Sequence, residues 1–252
     1  MPRWKNNKCH VMSCMPRRKY NFYNNHNFMK TTLIDIKGWD LIVENDLLYF
    51  QRINDKLGKQ ISFHKYDLSS IFTITEEEFN IAKFGKNHNK FLSLIGTNTD
   101  YSAKQSDGSI ICTGFMDYFF YFIDKDGNIK EKREDIGFDN IYSFDIDKNN
   151  NIWFAIPTAH YVGQYSLELS KEIFHLGEKY EENKPLFLPE DVKIYDDFAY
   201  ISDMNNNRIL RIKIQTKEWI EYLKFNEETW EYRQFKGNEI VRLQSGIYLV
   251  EK

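Results

Sequence analysis

The chain has 252 residues, of which 42% are hydrophobic and 16% aromatic, and its formal net charge at pH 7 is −3. This is enough apolar material for the core of one domain. No apolar run approaches the roughly 18 residues that a membrane span needs, so the composition predicts a soluble domain and excludes a membrane protein.

The first part of the chain is basic. Residues 1–28 contain six basic residues and no acidic one, which leaves 28 basic against 37 acidic residues in the remainder, a formal charge of −9. Such a body has no basic patch for phosphate groups, so we expect no nucleic-acid partner, no membrane partner and a monomer. Residues 1–18 are predicted to be a disordered extension, and residues 19–252 a single domain.

The cysteines indicate a reducing compartment. There are three, Cys9, Cys14 and Cys112, an odd number without the spacing of a disulfide framework. With no apolar secretory signal at the N-terminus, this predicts a cytoplasmic protein. Cys9 and Cys14 lie near His10 and His26, but their spacing matches no paired-ligand zinc motif, and no zinc site is predicted.

From residue 19 onward, short strands with period-2 alternation follow one another, separated by Asn, Asp and Gly. They begin with KYNFYNN (19–25) and KTTLIDI (30–36), and an all-β domain is predicted. One exception is TEEEFNIAKF (75–84), which is predicted to form a short helix with Thr75 as N-cap and Glu78 at the capping-box position.

The strands repeat. NNNIWFAIPTAHYVGQYSL (149–167) and DDFAYISDMNNNRILRIKI (196–214) align without gaps at an offset of 47 residues, and GSIICTGFMDYFFYFID (108–124) precedes the first of them at an offset of 42. The repeated second-strand position is predicted at Leu48, Ile111, Trp153, Tyr200 and Tyr248, with spacings of 63, 42, 47 and 48 residues. We interpret the three aromatic residues among them, Trp153, Tyr200 and Tyr248, as packing between repeats.

Each unit of roughly 45 residues contains about four short antiparallel strands, which is typical of a β-propeller blade. A blade cannot bury both faces alone, so several must stack in a closed ring. The C-terminal strands EIVRLQ and IYLVE are predicted to share one composite blade with KYNFYNN and KTTLIDI. The ring then has about five blades, or six if the spacing of 63 contains an irregular one.

These repeats resemble a known family. PEDVKIYDDFAYISDMNNNRILRI (189–212) resembles the NHL-repeat pattern, in which a proline precedes the inner strand, an apolar strand ends in Asp, and Asn-Arg-Ile begins the next strand. DIDKNNNIWFA (145–155) with VGQYSL (162–167) resembles the same repeats in streptogramin B lyase and in gluconolactonase (regucalcin-like) propellers. The resemblance is strong over about 139–225 and implies a β-propeller.

The resemblance also implies a site to test. Gluconolactonase-like enzymes bind a divalent metal over the channel through an acidic residue that follows a proline at the start of an inner strand, with a Glu and an Asn from other blades. Pro189 and Glu190 match the first element, Asp191 replaces a glycine, and Tyr142 occupies the corresponding place one blade earlier. In the lyase pattern the strand that begins Asn-Ile-Trp-Phe ends in Thr-Glu, where this chain has Ala155 and Ile156.

Two hypotheses therefore remain. The first is a non-enzymatic module, without a cofactor, that binds a protein or small-molecule ligand at one rim of the channel. The alternative is a degenerate gluconolactonase-like or lyase-like enzyme with a divalent cation such as Ca²⁺ at Glu190 or Asp191. Predicted ligand contacts lie where inner strands begin and where strands connect: Asp40, Tyr142, His160, Glu190 and Asp191. His160 aligns with Tyr118 and Asn207, which predicts a turn at this position.

Overall fold

The computed structural model describes residues 28–54, 60–95, 101–105, 107–113, 119–134, 141–177 and 185–251. Within these residues, twenty antiparallel strands form five sheets of four strands each. The predicted all-β propeller is confirmed, and it has five blades. The basic extension predicted for residues 1–18, the strand KYNFYNN, and the cluster of Cys9, Cys14, His10 and His26 lie outside the described residues.

In each blade the four strands run in one order from the innermost strand outward. Blade 1 contains β2 (Gly38–Glu44), β3 (Leu47–Asn54), β4 (Gln60–Tyr66) and β5 (Ile71–Ile74); blade 2 contains β6 (Tyr101–Lys104), β7 (Ile110–Thr113), β8 (Phe119–Ile123) and β9 (Ile129–Glu134); blade 3 contains β10 (Ser143–Ile146), β11 (Asn151–Ile156), β12 (Tyr161–Ser166) and β13 (Lys171–Leu176); blade 4 contains β14 (Pro189–Tyr195), β15 (Phe198–Asp203), β16 (Arg208–Lys213) and β17 (Trp219–Lys224); blade 5 contains β18 (Thr229–Phe235), β19 (Asn238–Leu243), β20 (Gly246–Val250) and β1 (Thr31–Asp35).

The ring closes in blade 5 through antiparallel pairing of β1 with β20. This confirms a composite blade built from both ends of the chain, but the predicted share of two strands from each end is wrong. Three strands come from the C-terminal end, because Thr229–Phe235 is the innermost strand. Its polar residues Glu231 and Arg233 hide the alternation that marks the other strands.

The same strand corrects the repeat register. Tyr200 pairs with Lys193 in blade 4, and Ile240 pairs with Arg233 in blade 5. The counterpart of Tyr200 is therefore Ile240 on the second strand, whereas the predicted Tyr248 lies on the third strand.

The core lies between the faces of neighbouring blades. Trp153 is fully buried in a cluster with Val192 and Ile201, between blades 3 and 4. Tyr200 stacks on Tyr232 across blades 4 and 5, with 4.8 Å between ring centroids. Trp153 and Tyr200 therefore pack between blades, as predicted.

Two helices lie between blades 1 and 2, α1 (Glu76–Phe84) and α2 (His88–Ile95). The predicted cap is confirmed, since the Thr75 hydroxyl accepts the Glu78 N–H at 3.1 Å. Phe79 of α1 packs on blade 1 beside Tyr49, and Phe91 of α2 packs on blade 2. This helical insertion accounts for the wide spacing of 63 residues, and no sixth blade is present in the described part. No helix of the described chain is long and apolar enough to cross a bilayer.

Candidate functional site

The innermost strands of three blades carry a β-bulge at their beginning. The pairing of β14 with β15 shifts at Glu190, and the pairing of β18 with β19 shifts at Trp230. In blade 1 the shift covers Asp40 and Leu41, and Asp40 has a φ of 58°. A bulge inserts an extra residue and redirects its side chain, and such features are frequent beside functional sites.

Blade 3 has the same arrangement at Tyr142. Its N–H donates to the Ala155 carbonyl at 2.9 Å, while Ala155 also pairs with Ser143, so two residues oppose one. In blade 2 the corresponding position lies outside the described residues. Three predicted contacts, Asp40, Tyr142 and Glu190, thus occupy equivalent positions. We call these residues and Trp230 the bulge ring.

Trp230 is the member of the bulge ring that sequence reasoning missed. The strand Thr229–Phe235 begins 40 residues after Pro189–Tyr195, at 229 against 189. A comparison of these two segments at that offset would have placed Trp230 on Glu190. This offset is hidden because the following strand, Asn238–Leu243, has the apolar residues that are typical of an innermost strand.

Asp191, the residue after the bulge, belongs to a buried polar network. Its side chain accepts hydrogen bonds from Ser143 Oγ at 2.8 Å and from Arg233 Nη1 at 2.5 Å. Burial raises the pKa of this carboxyl, but Arg233, Lys193 and these hydrogen bonds outweigh burial and leave the pKa below its ordinary value. Asp191 therefore stays ionised and joins blades 3, 4 and 5.

Arg233 extends the network to blade 1. Its Nε donates to the Leu41 carbonyl at 2.6 Å, and its Nη2 donates to Glu231 Oε2 at 3.2 Å. Glu231 also accepts the backbone N–H groups of Asp40 at 3.1 Å and Leu41 at 2.8 Å, together with Arg242 Nη1 at 3.2 Å. The blade 1 bulge is thus held by a carboxylate from blade 5.

Glu190 has a different environment from Asp191. Burial raises its pKa to about 7; Arg242 lowers it, and the nearby acids Asp191, Glu231 and Glu228 raise it further. Within the described part of the chain its carboxyl has no hydrogen-bond or ion-pair partner. Near neutral pH it is therefore poised either to donate or to accept a hydrogen bond.

Trp230 and Arg242 lie on the neighbouring blade. The Arg242 guanidinium carbon lies 5.0 Å from the centroid of the Trp230 ring, a cation–π contact. The Trp230 indole N–H is buried without a hydrogen-bond partner among the described residues. A carboxyl, an indole and a guanidinium therefore belong to one end of the junction between blades 4 and 5.

His160 fixes the loop that leads to Glu190. It follows the short 3-10 turn Pro157–Ala159 with left-handed φ and ψ of 55° and 45°, and Asn207 repeats this conformation at 55° and 43°. The predicted turn is confirmed. His160 Nδ1 accepts the Leu188 N–H at 3.0 Å, two residues before Glu190. His160 therefore supports the loop at the bulge end of blade 4.

The residues do not fit the divalent metal that the resemblance implies. A hard cation needs several oxygen ligands that are free to converge. Asp40 instead binds Lys83 Nζ at 2.8 Å, Asp191 binds Arg233, and Glu231 binds two arginines. In the described ranges no three His, Cys, Asp or Glu side chains form a group that could hold a metal. Among these acids, Glu190 has no cationic partner at bonding distance in the part of the chain that the structure describes.

No family model and no curated protein matches the chain. Among solved structures it is similar to a streptogramin B lyase, at 15% identity over 85% of this chain and 65% of that one, with a TM-score of 0.47. It is also similar to a catalytically inactive virginiamycin B lyase from Staphylococcus aureus with quinupristin, at 13% identity over 92% and 84%, TM-score 0.49. A nidogen/laminin complex matches at 14% identity over 84% and 72%, TM-score 0.44.

This chain spans about 65% of the length of that streptogramin B lyase. The five four-stranded sheets themselves define its class. It is a five-bladed β-propeller.

Proposed function

We propose that this propeller is a non-enzymatic binding module that recognises a ligand or protein partner at the rim formed by the bulge ring. The observation that carries the proposal is the equivalence of Asp40, Tyr142, Glu190 and Trp230 at four inner-strand bulges. A repeat position that only supported packing would favour one type of side chain. Here the bulge position carries carboxyl, phenol and indole groups in different blades. Such a mixture of polar and aromatic groups suits the recognition of a ligand or a protein.

Charge distribution supports the bulge ring as the contact surface. Two acidic residues directly follow the bulges, Asp191 and Glu231. Both form ion pairs with Arg233 inside the ring. Glu190 has no such ion pair with any described residue, although it lies near Arg242. A partner with hydrogen-bond donors and acceptors at matching positions can bond to Glu190 and Arg242. The network of Asp191, Glu231 and Arg233 already has its hydrogen bonds within the protein.

Photo-crosslinking tests the proposal. p-Benzoylphenylalanine at Tyr142 should capture a partner that the same probe at Trp219, on the outer strand of blade 4, does not capture. The purified partner should then bind the propeller directly in calorimetry, and Glu190→Arg should weaken binding at least tenfold while Lys171→Glu leaves it unchanged. Equal capture from both positions, or binding indifferent to Glu190→Arg, would contradict recognition at this rim.

Thermal melting separates this function from the metal-dependent alternative. Specific binding to the folded state raises the melting midpoint by mass action. We expect millimolar Ca²⁺, Mn²⁺ or Zn²⁺ to leave the midpoint unchanged. A rise that Glu190→Ala abolishes would favour a degenerate lactonase-like or lyase-like metal centre and count against the binding module.

A further inference from the structure

An open pocket of about 310 Å³ lies between the helical insertion and blade 2. Its walls include Glu44, the last residue of β2, whereas the bulge residue Asp40 lies near the beginning of that strand. The pocket therefore opens toward the opposite end of the propeller from the bulge ring. It exists because α1 and α2 are inserted between the two blades.

The floor of the pocket is apolar. Phe84, Phe91, Ile110 and Ile123 line it, and none of them is more than 6% exposed. The two phenylalanine rings stack with 4.8 Å between centroids. Because so little of the floor itself is exposed, the gain from binding an apolar group here would come mainly from the surface of that group, at roughly 25 cal/mol for each Å² removed from water.

The rim of the pocket has an excess of cations. Lys86, Lys104 and Lys125 line it together with two acids, Glu44 and Asp124. Glu44 pairs with Lys104 at 2.7 Å, and Asp124 pairs with Lys130 at 3.2 Å, so the two acids are already neutralised.

Of the remaining lysines, Lys125 lies near Asp107. Lys86 has no ion pair with any described residue. The chain around Lys86 leads directly into α2, whose first turn carries no acidic residue, and the partial positive charge of that helix end adds to the field.

The walls are held in place before any ligand arrives. The Asn87 side-chain amide donates to the Lys125 carbonyl at 2.6 Å. Lys90 Nζ contacts Asn128 Oδ1 at 2.6 Å and the Asp126 carbonyl at 3.1 Å. These contacts tie the start of α2 to the turn of blade 2, so a ligand would not need to order the walls.

We propose that this pocket binds a small amphipathic anion, with a carboxylate or phosphate group at Lys86 and Lys125 and a short apolar or aromatic body on the phenylalanine floor. The inference is independent of the proposed function of the bulge ring, because the two sites share no residue. Loss of one activity would leave the other intact.

Octanoate is a suitable probe, and octanol is its neutral counterpart. Octanoate titration should shift the backbone amide signals of the lining glycines, Gly85, Gly108 and Gly127, and leave that of Gly163 in blade 3 unchanged. Octanol should bind more weakly. Lys86→Glu should weaken octanoate binding about fivefold, the size expected for an exposed charge, while Lys171→Glu, at an exposed site on blade 3, should not.

The proposal would be overturned if none of the glycine amide signals shifted at octanoate concentrations on the order of 10 mM. A dissociation constant above that value would be too weak for specific binding. Equal binding of octanol and octanoate, or equal effects of the two lysine variants, would overturn it as well. Lys86 is exposed, so its variant should fold normally, which amide spectra of the free variant will verify.

Discussion

The junction between blades 4 and 5 and the junction between blades 1 and 2 are built differently. At the first, the blades pack directly, with Tyr200 stacked on Tyr232 and Asp191 paired with Arg233. At the second, α1 fills the space with Phe79. Charged groups of the two blades pair at both junctions, as Glu44 does with Lys104 between blades 1 and 2. The difference is that the aromatic rings of blades 4 and 5 meet directly, whereas the helical insertion beside blades 1 and 2 leaves a pocket.

The difference shows how one repeat architecture produces two kinds of surface. Where the blades touch, polar inner-strand residues become a buried network with a bulge residue above it. Where helices are inserted beside the blades, a pocket with an almost fully buried apolar floor remains. Substitutions at each junction test whether the stability of the fold depends on the contacts assigned to that junction.

The largest effect is expected for Arg233→Met at the junction of blades 4 and 5. It would leave Asp191, which is 5% exposed, as a buried charge without its cation. We expect the free energy of unfolding to fall by about 4 kcal/mol in urea denaturation. The double variant Asp191→Leu with Arg233→Met should recover much of this loss, and a double variant as unstable as the single one would contradict the pairing.

Phe79→Ala tests the junction of blades 1 and 2. Phe79 is 1% exposed, so its truncation should leave a cavity and lower the free energy of unfolding by about 3 kcal/mol. Ile81→Ala on the same helix is the matched control, because Ile81 is 38% exposed and should cost less than about 1 kcal/mol. Equal small losses for both variants would show that the helix is not part of the core.

The pH dependence of stability that Glu190 causes is expected to be similar in size to the effect of Phe79→Ala. Its pKa is raised from 4.5 to about 7, so the folded protein holds this proton more tightly than the unfolded chain. The stabilisation is complete below pH 4.5 and is lost as the pH rises through 7, an expected change of about 3 kcal/mol. Stability measured against pH should therefore fall relative to Glu190→Gln over this range. Glu168→Gln, at an exposed site, should show the same dependence of stability on pH as the wild type. If Glu190→Gln also followed the wild-type dependence, the raised pKa of Glu190 would be contradicted.

Much of the fold could be predicted from local patterns. The copies at 149–167 and 196–214 show the same strand and turn order, and the shared left-handed conformation of His160 and Asn207 follows from it. The strand Thr229–Phe235 could not be recognised in the same way. Its Glu231 and Arg233 are buried polar residues whose partners belong to other strands and blades.

The positions of the candidate site residues could be predicted from the sequence, but their ion-pair partners and protonation states could not. The starts of the inner strands indicated Asp40, Tyr142 and Glu190, because the repeat places them at one end of the ring. Whether each acid would be free, paired or protonated depended on residues far away in the chain. Asp191 and Arg233 are 42 residues apart, and Asp40 accepts from Lys83 on the inserted helix.

The amino-acid sequence by itself determined the blades, their approximate number and the closure of the ring, because strand alternation and turn residues act over a few neighbouring positions. Only the tertiary structure decided which carboxylates carry a neutralising cation, that Glu190 has none at bonding distance among the described residues, and that a helical insertion opens a pocket beside blade 2. Electrostatic and packing energies depend on distance in space, and the ring brings together residues that no local pattern connects.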